Sequence, residues 1–141
     1  MGRKVHPIGF RLGINKTWES RWFANPDVYA KQLHEDRAIR KLILDSAPRS
    51  GISHIDIERF PNNVHVTIHT AKPGIVIGRK GASVKELRRL TQNLTGVTVK
   101  LDIAEIKEPD LDARLVAENI VNQLERRISH RRAMQRAVSQ A

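Results

Sequence analysis

Three stretches of this chain alternate apolar and polar residues with a period of two. In 52–59, Ile55 and Ile57 alternate with Asp56 and Glu58. In 64–69, Val64, Val66 and Ile68 alternate with His65, Thr67 and His69. In 97–103, Val97, Val99, Leu101 and Ile103 alternate with Thr98, Lys100 and Asp102. Such alternation puts the apolar side chains on one side of an extended strand, and those sides are hidden together under a layer of helices. Phe60-Pro61-Asn62-Asn63 is turn chemistry and joins the first two strands as an antiparallel hairpin. Asn25-Pro26-Asp27 opens a helix, with Asn as N-cap and Pro at the first helical position. Its apolar stripe is Tyr29, Leu33, Ile39, Leu42 and Ile43, and Pro48 and Gly51 stop it. A second helix carries Val84, Leu87, Leu90 and Leu94 and ends at Gly96. Glu108-Pro109-Asp110 opens a third, striped by Leu111, Leu115, Ile120, Leu124 and Ile128, with no Pro or Gly afterwards. Continuous to about residue 138, it would be roughly 43 Å long and would project from a small domain. The expected fold is α+β: a three-stranded mixed sheet with helices packed on one face. A basic, extended arm over 1–24 precedes it and the long helix follows.

The 141 residues carry 25 Lys and Arg against 15 Asp and Glu, a formal net charge of +10. The excess lies in three blocks: net +4 over 1–24, +5 over 71–96 and +3 over 111–141. Segments between them are close to neutral. Clustered cationic blocks are an electrostatic footprint for a polyanion, most commonly nucleic acid. There is no cysteine, which excludes a disulfide scaffold and any thiolate metal site. No apolar run has the length of a membrane span, and MGRKVHPIGF lacks the apolar core of a secretory signal. No membrane partner is expected.

Between the second and third strands lies Pro73-Gly74-Ile75-Val76-Ile77-Gly78-Arg79-Lys80-Gly81, followed at once by a helix. Glycines let a phosphodiester approach the backbone closely. The amides at the start of the next helix, with its dipole, favour an anion. Arg79 and Lys80 add two positive charges between the glycines. A phosphate-binding Walker A loop fails on spacing, because its second glycine would fall on Arg79. A dinucleotide fingerprint fails because its first glycine would replace Val76. What remains resembles the Gly-x-x-Gly loop of KH domains, which clamps the backbone of about four nucleotides.

Longer motifs extend that resemblance. The segments 2–7 (GRKVHP), 9–13 (GFRLG), 18–24 (WESRWFA), 67–81 (TIHTAKPGIVIGRKG) and 123–138 (QLERRISHRRAMQRAV) occur in the same order as in the bacterial small-subunit ribosomal protein S-three family. The similarity covers essentially the whole chain. It implies a type II KH domain over 25–108 between the arm (1–24) and a basic C-terminal helix (109–141). It also implies a structural role in the head of the small subunit. Implied partners are small-subunit ribosomal RNA, messenger RNA at the entry channel, and ribosomal proteins ten and fourteen. The implied location is the cytoplasmic ribosome, with no cofactor and no enzymatic activity. Channel-lining positions of the family match Arg131 and Arg132; a third, often Lys, is Gln135 here, with Arg136 beside it. Family members continue into a second α+β domain, which is absent here, so a sequence ending at Ala141 reads as either a fragment or an unusual short form. A free-standing KH-type RNA-binding regulator is the alternative, though it would not need the N-terminal arm.

The candidate RNA contacts are therefore Arg3, Lys4, Arg11 and Lys16 in the arm; Lys72, Gly78, Arg79, Lys80, Gly81, Lys85 and Arg89 around the loop; and Arg127, Arg131, Arg132 and Arg136 near the C-terminus. Lys85 and Arg89 share a helix face, as do the i,i+4 pairs Arg127/Arg131 and Arg132/Arg136, whose repulsion an anion would relieve. Trp18 and Trp22 have two readings: stacking on bases, or anchoring the arm to the body. His65 and His69 share a strand face with Thr67 between them. A metal there would need a third ligand such as His54 or Glu58, and the expectation is a plain polar surface with no metal. Asp102 and Glu105 have no predicted cleft around them, and no Ser/His/Asp order has supporting context.

Overall fold

The computed structural model describes residues 2–141. In chain order the elements are α1 (Pro7–Arg11), β1 (Ser20–Arg21), α2 (Pro26–Ser46), β2 (Ile52–Phe60), β3 (Asn63–Thr70), α3 (Pro73–Ile77), a 3-10 turn (Arg79–Gly81) and α4 (Ala82–Thr95). They continue with β4 (Thr98–Glu105), a second 3-10 turn (Pro109–Leu111), α5 (Ala113–Glu125) and α6 (His130–Gln140). The sheet is mixed, in the order β1-β2-β3-β4. β2 and β3 form the antiparallel hairpin, while β1 joins β2 and β4 joins β3 in parallel.

The alternation works as the sequence requires. Ile55, Ile57, Val64, Val66, Ile68, Val99 and Leu101 are buried together beneath Ile39 and Ile43 of α2, Val76 of α3 and Leu87 of α4. The opposite face carries His54, Asp56, Glu58, His65, Thr67 and His69, all half-buried. The stripe of α2 is shorter than predicted: Tyr29 and Leu33 are half exposed, and only the second half of the helix reaches the sheet. The register of β2 against β3 shifts between Ile52 and His54. That irregularity buries Ser53 as well as Ile52.

Other expectations are corrected. The sheet has four strands, because Ser20–Arg21 from the arm pairs along β2. The arm is consequently not simply extended. It contains α1, whose N-cap His6 accepts from Gly9 N, and a tight turn closed by a Leu12–Lys16 bridge. A buried carboxylate fastens it. Asp36 of α2, 2% exposed, accepts from Trp22 Nε1 at 2.8 Å, Ser20 Oγ at 3.1 Å and Arg59 Nε at 2.8 Å. Arg59 also reaches Glu35 at 2.8 Å, so the charge of Asp36 is paired and its lone pairs are used. Trp22 is thus an anchor; Trp18 stays 68% exposed.

The long C-terminal helix is two helices. Arg127 takes the left-handed conformation, φ 61°. Its N–H bonds Leu124 O at 2.8 Å and Ile128 N bonds Gln123 O at 3.1 Å. This is the paired closure of a Schellman motif, normally built on glycine. α6 then packs back on α5 and buries Ala133 completely. The start of α5 also moves: Asp112, not Glu108, is its N-cap, accepting from Arg114 N at 3.0 Å and Leu115 N at 3.1 Å.

Candidate nucleic-acid interface

The loop after α3 turns on three residues with positive φ. Gly78 has φ 69° and ψ −179°, a combination essentially closed to other residues. A Cβ there would lie 2.2 Å from Ser83 Oγ and 2.8 Å from Ser83 Cβ. Gly78 therefore lets α3 approach the first turn of α4 closely. Lys80 (φ 52°) and Gly81 (φ 76°) follow in the left-handed region. Gly81 is the N-cap of α4, and no side chain caps the helix. A Cβ on Gly81 would meet nothing within 4 Å. The surface beside it is open, as close approach by a phosphodiester backbone demands. Arg79 and Lys80 are exposed at the tip, and Lys85 is exposed on the first turns of α4.

Arg89 differs from its neighbours. It binds Glu86 through both Nε (3.0 Å) and Nη2 (2.6 Å). That hydrogen bond holds Glu86 below the usual carboxylate range and raises Arg89. Its charge already has a partner within the helix, whereas Lys85 has none among the described residues.

Lys72 precedes α3 at the end away from the tip and lines an open cleft of about 770 Å³. The cleft runs between the start of α3 and the α5–α6 hairpin. Arg49, Arg126 and Arg136 line it too, opposed by Asp110, Glu118 and Glu125. The hairpin thus brings Arg126 and Arg136 to the same cleft as Lys72. Arg49 was not singled out from the sequence, and the return of Arg136 toward α5 follows from the break at Arg127, which local propensity did not show. Ser129, an N-cap residue type ahead of a second polar stretch, was the available signal. Arg127, Arg131 and Arg132 are exposed, as are Arg3, Lys4, Arg11 and Lys16 in the arm. The arm lies on the β1 edge, and Arg11 bonds Pro7 O at 2.9 Å.

The polar sheet face is a network of histidines and acids. His65 Nε2 lies 2.7 Å from Asp102 Oδ2, which Lys100 also contacts at 2.9 Å. The bonds from Lys100 and His65 hold Asp102 below its ordinary value. His69 stacks on His54 with ring centroids 4.1 Å apart. Burial, and then the neighbouring His69, lower His54. No helix of the described residues is long and apolar enough to cross a membrane.

A mixed sheet with helices on one face, and a Gly-x-x-Gly turn opening the helix after α3, define a nucleic-acid-binding module. A family model described as KH domain matches residues 36–111, more than half of the chain, and the chain belongs to that family. Over all its residues it is also similar to proteins named small ribosomal subunit protein uS3. It is 52% identical to that of Beijerinckia indica, covering 58% of that protein, and 55% identical to that of Rhodospirillum centenum, covering 62%. It is 56% identical to that of Pelotomaculum thermopropionicum, covering 61%. The resemblance to the S-three family therefore holds along the whole chain, and the chain spans about three-fifths of the length of these relatives.

Proposed function

We propose that the chain is the KH-containing part of a structural protein of the small ribosomal subunit, binding ribosomal RNA in the cytoplasmic ribosome and performing no chemistry. The observation that carries this reading is an identity of 52–56% to uS3 proteins across every residue of the chain. In this reading 1–24 is an RNA-binding arm, 25–108 the KH domain, and 109–141 a basic extension leading to the rest of the protein. Gly78, Arg79, Lys80 and Gly81 clamp an RNA backbone, with Lys72 and Lys85 beside them. Arg89 contributes through the pair it forms with Glu86. Arg3, Lys4, Arg11 and Lys16 order on ribosomal RNA, and Arg127, Arg131, Arg132 and Arg136 face messenger RNA at the entry channel. Ribosomal proteins ten and fourteen are the proposed protein neighbours. The arm favours this over a free-standing KH regulator: buried Asp36 ties it to the body, so it is part of the fold.

The test is affinity for a small-subunit head RNA fragment against an unrelated structured RNA, across a salt series. Preference for the head fragment near physiological salt is the expected result. Equal affinities that collapse together with salt would assign this part general charge only.

A further inference from the structure

On the polar sheet face two histidines and an aspartate converge. His54 and His69 are cross-strand partners on β2 and β3, and Asp56 is two residues along β2 on the same side. One ring nitrogen of each histidine and one carboxylate oxygen of Asp56 all lie within 4.8 Å of one another. Asp56 Oδ2 is 3.6 Å from His69 Nε2. Ligand atoms around a tetrahedral zinc ion, with bonds of about 2.0–2.2 Å, stand roughly 3.3–3.6 Å apart. The His54 and His69 rings are stacked nearly parallel, 11° apart, so binding one ion would unstack them and turn both ring planes until their nitrogen lone pairs meet, on strands whose backbones stay paired.

One histidine is also oriented for this. Ser53 has a single hydroxyl proton, and its Oγ donates it to Asp112 Oδ2 at 2.6 Å. The contact between Ser53 Oγ and His54 Nδ1, 3.1 Å, must then run the other way, with the ring N–H donating. That fixes the neutral His54 tautomer with its lone pair on Nε2. A carboxylate–hydroxyl chain behind a histidine is the outer support that metal-binding imidazoles usually have. The competing cation, Arg21, sits 3.7 Å from Asp56 but only 2.7 Å from Glu58, which retains it. His65 is on the same face but engaged by Asp102 and Glu58, so it serves as an internal control.

We propose that His54, Asp56 and His69 form a binding site for a divalent late transition cation of the Zn²⁺ type, which would clamp β2 to β3 on the polar sheet face. Two imidazoles and one carboxylate, with a fourth position left to water, suit that class of ion and not Mg²⁺ or Ca²⁺. The inference is independent of the RNA-binding reading.

The test is calorimetric titration of the metal-free chain with ZnCl₂, alongside His69→Ala, His54→Ala and His65→Ala. One saturable equivalent is expected, weakened at least tenfold in the first two variants and unchanged in His65→Ala. No saturable binding, or equal loss in all three, would overturn the site. NMR of the unsubstituted chain decides the matter should a variant fail to fold. Zinc-induced shifts confined to the rings of His54 and His69 support the site. Shifts centred on His65 or on another histidine overturn it.

Discussion

Gly78 and Gly81 bracket one loop but answer to different constraints. At Gly81 the need is conformational: a positive φ with open space where a Cβ would go. Alanine in the left-handed region costs about 1–2 kcal/mol. At Gly78 the backbone lies where other residues scarcely go, and the added Cβ would strike Ser83. Gly78→Ala should therefore cost about 3 kcal/mol or more, and Gly81→Ala about 1 kcal/mol, measured as urea midpoints at an unchanged slope. Equal losses would show that Ser83 moves aside freely. The spacing of the two glycines was legible from the sequence. Their inequality was not, because it depends on where the first turn of α4 passes. The same limit hid the role of Asp36. Nothing local marks one acid among Glu35, Asp36 and the basic residues of α2 as the buried one. Its partners Trp22 and Arg59 lie 14 and 23 residues away. Asp36→Ala leaves Arg59 buried with one carboxylate instead of two, and should cost about 3 kcal/mol or more, with a parallel loss of order in the arm by amide hydrogen exchange. A loss under about 1 kcal/mol would mean that the arm is held by its strand pairing alone.

Among the elements, the strands and the α4 helix were the readable parts, because a one-sided core repeats its instruction at every second or fourth residue. The C-terminal segment misled for the opposite reason. With no Pro or Gly after Pro109, local propensity runs on, and the break falls on Arg127 in a conformation that costs an arginine energy. Tertiary packing of α6 on α5, with Ala133 wholly buried, outweighs that cost. Arg127→Gly should thus raise stability by a few tenths to about 1 kcal/mol while weakening RNA binding, if the position is kept basic for its partner. A destabilised variant would show that the arginine side chain itself holds the break. The other end of α5 is set by Asp112, which caps it and accepts from Ser53. Burial raises its carboxyl, but the Ser53 hydroxyl and the Leu115 and Arg114 amides outweigh this and hold it below its ordinary value. A carboxyl depressed in the folded state stabilises above its unfolded pKa and stops doing so as pH falls through the folded one. Asp112→Ala should cost about 1–2 kcal/mol at neutral pH, with the gap to the parent chain narrowing on acidification through the carboxylate range. A gap constant with pH would place the effect in packing and not in the charge.

At the scale of the whole molecule, charge was legible as quantity and only partly as position. Three basic blocks separated by neutral segments announced a polyanion partner. The fold decides which of them act together. β1 ties the arm's end to the sheet edge, while the α5–α6 hairpin sets Arg126 and Arg136 across a cleft from Lys72 and Arg49. The loop tip at Arg79 and Lys80 and the helix residues Arg131 and Arg132 are separate from that cleft lining. If each pair meets its own stretch of RNA, their contributions are independent. Each phosphate contact lowers the slope of log K against log salt by somewhat less than one unit. Neutralising Arg79 and Lys80 to alanine should then reduce the slope by about 1.5, and neutralising Arg131 and Arg132 by the same amount. The fourfold variant should lose about 3, with all variants folding alike because only exposed side chains change. Binding titrations, at several salt concentrations, of one RNA that joins a head fragment to a single-stranded, messenger-like tail read this directly. Additive slopes would establish two separate electrostatic footprints on one fold. A fourfold variant no worse than either pair would mean that loop and helix compete for the same phosphates, and that the hairpin turns the C-terminal block toward the KH loop rather than toward a second strand of RNA.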